Sequence, residues 1–260
     1  MLTRLKKLLA PGRSPTVFPH GASGYVYATA KDRTSLREAT VGAVVRNPDD
    51  GPPWIVVDHA LESVNVARWP GRLLKVEILD IAKEQPRAYA NYTRATAISV
   101  VAELSAIDLL GEHGVRIAQV IERIETLSVD EAMSLSASSD PSAPLLYDAA
   151  WKAWLRAIGA PAFNDEEDHR HTLIAGGSAR RSPVGYALTL IYSHLQARAE
   201  LLSGSAATGV NDEGESTLMA PWDGAADALL HAAMAFGAPG LFTREQVATM
   251  TLPWRKLMLP

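Results

Sequence analysis

WIVVDHALESVNVARWPGRLLKVEILDIAKEQPRAYANYTRATAISVVAEL, residues 54–104, carries most of the strand signal in the chain. The stretch opens on the apolar run Trp54–Val57 and breaks at Pro70 and Gly71. Arg72–Leu79 and Tyr92–Leu104 follow, both rich in β-branched or alternating apolar residues, the two-residue period of a strand. A polar connection over 80–90 separates them, and together they are expected at the centre of a sheet. Asp58–Arg68 fits two structures. One is a helix with Ala60, Leu61, Val64 and Ala67 on one side; the other is a continued strand through Val64 and Val66.

Working outward toward the start, Gly24–Ala30 alternates like a strand, Asp32 or Thr34 suits the cap of a short helix through Ala39, and Val41–Val45 reads as a second strand. Asn47–Pro53, with Asp49, Asp50, Gly51 and two prolines, is a turn-rich loop. Leu2, Leu5, Leu8 and Leu9 recur at helical spacing among Arg4, Lys6 and Lys7, a basic amphipathic helix expected to dock on the body of the protein. Its apolar part is too short for a secretory signal.

Toward the end, Ala106–Leu110 closes on Gly111 and Gly114. Val115–Leu127 is an amphipathic helix whose stripe is Ile117, Val120, Ile121, Ile124 and Leu127. Ser134–Pro144 reads as a linker. Beyond it, Leu145–Ile158, Ser182–Ser203, Trp222–Phe236 and Thr243–Met250 all read as helices with almost no strand signal, and 204–220 as a loop. The fold class is therefore α+β, with a mixed, mainly antiparallel sheet in the N-terminal half (domain 1–133) and a helical C-terminal half (domain 144–260).

Composition narrows the function. With 260 residues, 47% hydrophobic and 21% charged, the chain has the makings of a sizeable core. A net charge of -4 gives no global attraction to nucleic acid, so no nucleic-acid partner is expected. No cysteine occurs, which excludes disulfides, thiolate metal sites and a cysteine nucleophile and suits a cytoplasmic location. No apolar run approaches the ~20 residues of a membrane span, and a soluble chain is expected.

Three stretches occur together and in order: GYVYATAKDRTSLREA (24–39), GRLLKVEILD (71–80) and YTRATAISVVAEL (92–104). They resemble the rifampin-type ADP-ribosyltransferases, whose pattern runs from a Tyr-x-Tyr-x-Thr strand and short helix, through a Gly-Arg strand, to a strand that contains Tyr-Arg. The resemblance covers roughly a third of the chain. It implies NAD as the cofactor, with His20, in His-Gly-Ala-Ser, on its ribose and Tyr27 packed on the nicotinamide. Asp80 would be the acidic residue that stabilises the oxocarbenium-like sugar as nicotinamide leaves. Such groups suit that chemistry: an aromatic face for a cationic ring and a carboxylate beside developing positive charge. The chain departs from the family in two places. His20 stands only a few residues before Tyr25, and the segment from Arg46 to Pro70 is an insertion.

Other clusters carry weaker signals. Asn164–His171 packs four carboxylates with His169 and His171, which as imidazoles beside carboxylates form a candidate metal set; a helix start with an acidic first turn accounts for the run equally well. In Ala175–Pro183, Gly176 and Gly177 free the backbone and Arg180 and Arg181 supply charge ahead of a helix, a candidate anion site or a structural loop. His194 and His231 read as core or boundary histidines, and Trp151, Trp154, Trp222 and Trp254 as helix-packing anchors. Neither Gly-x-Ser-x-Gly nor His-Glu-x-x-His occurs, which disfavours the familiar hydrolases and zinc proteases. Two classes remain: an NAD-dependent ADP-ribosyltransferase-like enzyme, and a non-catalytic partner of another protein, of the immunity, antitoxin or accessory kind.

Overall fold

A computed structural model describes residues 21–47, 49, 51–86, 90–157, 184, 186–210, 214 and 216–259. The N-terminal helix expected over residues 2–10, together with His20, His169, His171, Gly176, Gly177, Arg180 and Arg181, lies outside the described residues. The fold is α+β, with an antiparallel sheet in the N-terminal half and helices in the C-terminal half. The described residues form two compact units. One runs to Asn65 and takes in Gly71–Ser105; the other joins Val66–Pro70 to everything from Ala106 onward.

The first unit is built from β1 (Ser23–Thr29), α1 (Thr34–Arg37), β2 (Val44–Arg46), β3 (Ile55–Asp58), β4 (Gly71–Ile81) and β5 (Tyr92–Leu104). The long strands are the two flanking the polar connection, and β5 pairs with three neighbours. β4 lies along one edge of it, while β3 and then β2 lie along the other, at 92–95 and 97–99. β4 pairs in turn with β1, from Ser23↔Glu77 to Thr29↔Gly71, and β1 meets β3 at Tyr25↔Asp58. The ring β5–β4–β1–β3–β5 thereby closes on itself, and closure removes most of the exposed edge. Alternation supplies the interior: Val26, Ala28, Val45, Ile55, Val57, Leu74, Val76, Ile78, Ala95, Ile98 and Val100 form one core cluster. Leu36 of α1, with Ala39 just beyond it, joins that cluster.

Asp58–Arg68 is neither of the two expected structures. The strand ends at Asp58, Leu61–Ser63 makes a single 3₁₀ turn, and Val64 and Val66 are buried in extended chain. Val64 fits the helical stripe as well as the strand, and Val66 the strand, so periodicity offered no way to see that the chain leaves the sheet here. The short helix is α1, four residues long and started at Arg33.

The second unit comprises α2 (Gly114–Ile124), α3 (Val129–Ala137), α4 (Ala143–Ala157), α5 (Ala187–Ser203), α6 (Trp222–Gly237), α7 (Arg244–Met250) and α8 (Leu252–Leu257). α6 is its axis, packed against α2, α3, α4, α5, α7 and α8. Its AADALLHAAMA run is buried almost throughout, and small side chains let neighbours approach closely. At Gly224 any side chain would strike Ser136 of α3. The start of the expected linker is helical to Ala137, because Ser128 caps α3 with its hydroxyl and Glu131 answers from the third position. α3 packs on α6 within this unit. The 204–220 segment also differs from expectation: Thr208–Val210 (β6) and Ser216–Leu218 (β7) pair as an antiparallel hairpin. Each strand is three residues long, too short for a two-residue period to register.

Candidate functional site

After Tyr25↔Asp58, β1 and β3 make no further pairing. Where they part, a cleft of about 260 Å³ opens in the sheet unit. Its walls are the end of β1 (Val26, Tyr27), the turn and helix from Lys31 to Leu36, the end of β2 with Asn47, and the chain entering β3 (Pro53–Val56). Three cations line it, Lys31, Arg33 and Arg46, against one carboxylate, Asp32, with Trp54 contributing an aromatic surface. Asp32 is committed to its own turn: it accepts from the Thr29 backbone N–H at 2.6 Å and from the Thr29 hydroxyl at 2.7 Å.

Tyr27 belongs to the outward-facing set of β1 and opposes Leu73. Its ring lies over Gly71, where any side chain would collide with it. Burial pushes the phenol's pKa up, so it stays protonated at any physiological pH. Asp80 stands at the other end of β4. The β4–β5 register shifts on both sides of it, and such irregularities re-aim side chains. Its carboxylate turns outward and accepts from Arg46 Nη1 at 3.0 Å, with both side chains more than half exposed. Tyr27 and Asp80 therefore belong to one unit and are linked through Arg46 to one cleft, but the ring and the carboxylate occupy opposite ends of the same strand. Arg72, beside Gly71, is structural. Its guanidinium donates to both carboxylate oxygens of Glu103, at 3.0 and 2.6 Å, and to the carbonyls of Arg37 and Ala39 that end α1.

Sequence reading passed over a second cluster. Tyr25, Asp58 and Tyr92 sit side by side across β1, β3 and β5, with Lys75 one strand further on. Directly opposed residues share a face, so the Asp58 carboxyl stands between two tyrosines. Burial pushes it up to about 7. Next to it, His59 Nε2 lies 2.8 Å from the hydroxyl of buried Thr93, and burial lowers the imidazole's pKa. A carboxylate closing the apolar run IVVD was the available signal. Arg33, Arg46 and Asn47 were also missed, because they fall on short or irregular segments that carry no period.

In the helical unit, His194 is half-buried, its pKa lowered mainly by burial, and His231 is buried and lowered to about 4 for the same reason. The ring of Tyr147 lies 5.4 Å from that of His231 and packs edge-on against Trp151. Among the described residues no three His, Cys, Asp or Glu side chains gather as a metal set, and no helix is long and apolar enough to cross a membrane. Compared with known proteins, the chain matches no family model, no curated protein and no solved structure.

Proposed function

We propose that the sheet unit binds a phosphate-bearing, ring-bearing ligand of the nucleotide class in this cleft, with NAD as the ligand and ADP-ribosyl transfer as the chemistry. The supporting observation is the cleft itself, which Tyr27 lines and on whose wall Arg46 holds Asp80. At about 260 Å³ it lies just below the ~300–1,000 Å³ of pockets for whole drug-sized ligands, which leaves room for one end of a dinucleotide. Cations beside an aromatic surface match phosphates joined to flat rings. In transfer, the bond from ribose to nicotinamide breaks with its electron pair leaving on nicotinamide, and an acceptor oxygen or nitrogen takes the sugar carbon. Asp80 stabilises the positive charge that grows on the ribose meanwhile. The absence of cysteine from the chain accords with a reducing cytoplasm as its setting.

Calorimetric titration of NAD into the protein tests this reading, repeated with Tyr27→Ala and Arg46→Ala. Arg46 and Asp80 are exposed, and such pairs contribute about 0–1 kcal/mol, so Arg46→Ala leaves folding intact. Each substitution is expected to weaken NAD binding by about tenfold or more, which corresponds to about 1.4 kcal/mol. No binding of millimolar NAD by the wild-type protein overturns the reading.

The second reading, a non-catalytic partner of another protein, draws on two observations. The Tyr27 ring lies over Gly71 at the start of β4 while Asp80 stands near its end, and Val44, Val56 and Val101 are exposed on the sheet unit. A protein silent toward NAD whose co-purifying partner is lost on Val44→Glu would favour it.

A further inference from the structure

Asn47 is buried, 9% exposed, at the wall of the cleft, and every polar atom of its side chain is engaged. Its amide nitrogen donates to the carbonyls of Gly51 at 2.9 Å and Pro53 at 3.3 Å, while its backbone N–H donates to Thr96 of β5 at 2.7 Å. Those acceptors allow the amide to face only one way, with its oxygen toward the cleft. That oxygen accepts from Nη1 of Arg33.

Arg33 is thus held by a neutral group. Arg46 is held by Asp80, Arg72 by Glu103 and Arg94 by Glu84, and each of those charges is balanced where it stands. An amide oxygen orients a guanidinium without neutralising it. The one carboxylate lining the cleft, Asp32, is turned to its own loop, its Oδ2 accepting from the Thr29 backbone N–H and hydroxyl. The remaining donors of the Arg33 fork are left at a wall that Lys31 and Arg46 share. A planar fork of N–H donors, fixed in direction and carrying its full charge, matches paired anionic oxygens such as those of a phosphate.

We infer that Arg33, set by Asn47, is the seat for the diphosphate of the ligand; this deepens the nucleotide reading of the same cleft and rests on it for the identity of the ligand. Lys31, on the same wall, supplies a second positive charge beside the anion. Asn47 is a positioning residue: it touches Arg33 and not the ligand.

The experiment uses the full chain, with inorganic pyrophosphate and NAD titrated separately by calorimetry. Wild type is compared with Arg33→Ala, Asn47→Ala and, as a charge-matched control in the helical unit, Arg255→Ala. Thermal melting of each variant reports its folding. Pyrophosphate is expected to bind wild type and Arg255→Ala alike, and to bind Arg33→Ala and Asn47→Ala about tenfold or more weakly. Should Asn47→Ala fail to fold, Arg33→Ala decides, because it leaves the Asn47 bonds to Gly51 and Pro53 in place. Equal binding of pyrophosphate by wild type and Arg33→Ala overturns the inference, as does no binding at millimolar pyrophosphate even if NAD binds. Pyrophosphate binding that depends on Arg33, in a protein that ignores NAD, keeps the anion seat and removes NAD as its ligand.

Discussion

Asp58 ends an apolar strand, and burial pushes its carboxyl up to about 7 from an ordinary value of 3.8. In that interval the folded chain holds a proton that the unfolded chain has released, so stability falls as pH rises from about 4 to 7 and is level above it. Asp58→Asn keeps the shape and removes the titration. It is expected to flatten the profile and to raise stability at pH 8 by about 1–2 kcal/mol after allowance for solvent screening, as measured by urea denaturation across pH. A profile with its slope intact would show that the carboxyl is not the source. His231 acts in the opposite sense. Burial lowers it to about 4 from 6.5, so the stability it leaves intact above 6.5 is lost as pH falls toward 4. The two residues were not equally legible. A histidine inside Ala-Leu-Leu-His-Ala-Ala-Met announces its burial through the helical period around it. Asp58 stands at the end of a strand, where the period stops, and its surroundings come from Tyr25 and Tyr92 on strands far away in sequence.

At the scale of elements, β4 and β5 were legible because each is long enough for a two-residue period to repeat several times: 11 and 13 residues. β6 and β7 have three residues each, and no period fits in three, while the strand expected over Val41–Val45 is β2, three residues at Val44–Arg46. The same limit hid the cleft, whose walls are the ends of short elements and the turns between them. The break at Pro70-Gly71 was visible as a turn, but its use was not: Gly71 begins β4 under the Tyr27 ring, where no side chain fits. Gly71→Ala is expected to cost about 1–3 kcal/mol, as overpacking does. In the double variant with Tyr27→Ala the clash disappears, so the combined loss should be smaller than the sum of the two single losses, a coupling that denaturation of all four proteins would reveal. Strict additivity would mean that the ring and the glycine are independent.

On the scale of the whole molecule, a sheet in the N-terminal half and helices in the C-terminal half were legible, whereas the expected domains, 1–133 and 144–260, differ from the two compact units, of which the helical one begins at Ala106 and takes in Val66–Pro70. What could not be read was the closure of the sheet, which depends on β5 taking β4 on one edge and both β2 and β3 on the other. Apart from β1 with β4 and the single meeting of β1 with β3, every pairing in this sheet needs residues 92–104. A chain stopped before Tyr92 is therefore expected to lack a cooperative transition and native-like protection of β1 amides in hydrogen exchange; protected β1 amides in that fragment would refute this. During synthesis the same dependence sets an order of events. Arg46 and Asn47 emerge early, yet they gain their places beside Ala97 and Thr96 only when β5 arrives, so the nascent chain has no cleft to offer until the last strand of this sheet is made. A ligand of this cleft would act as a clasp on a finished barrel, never as the template around which the barrel is assembled.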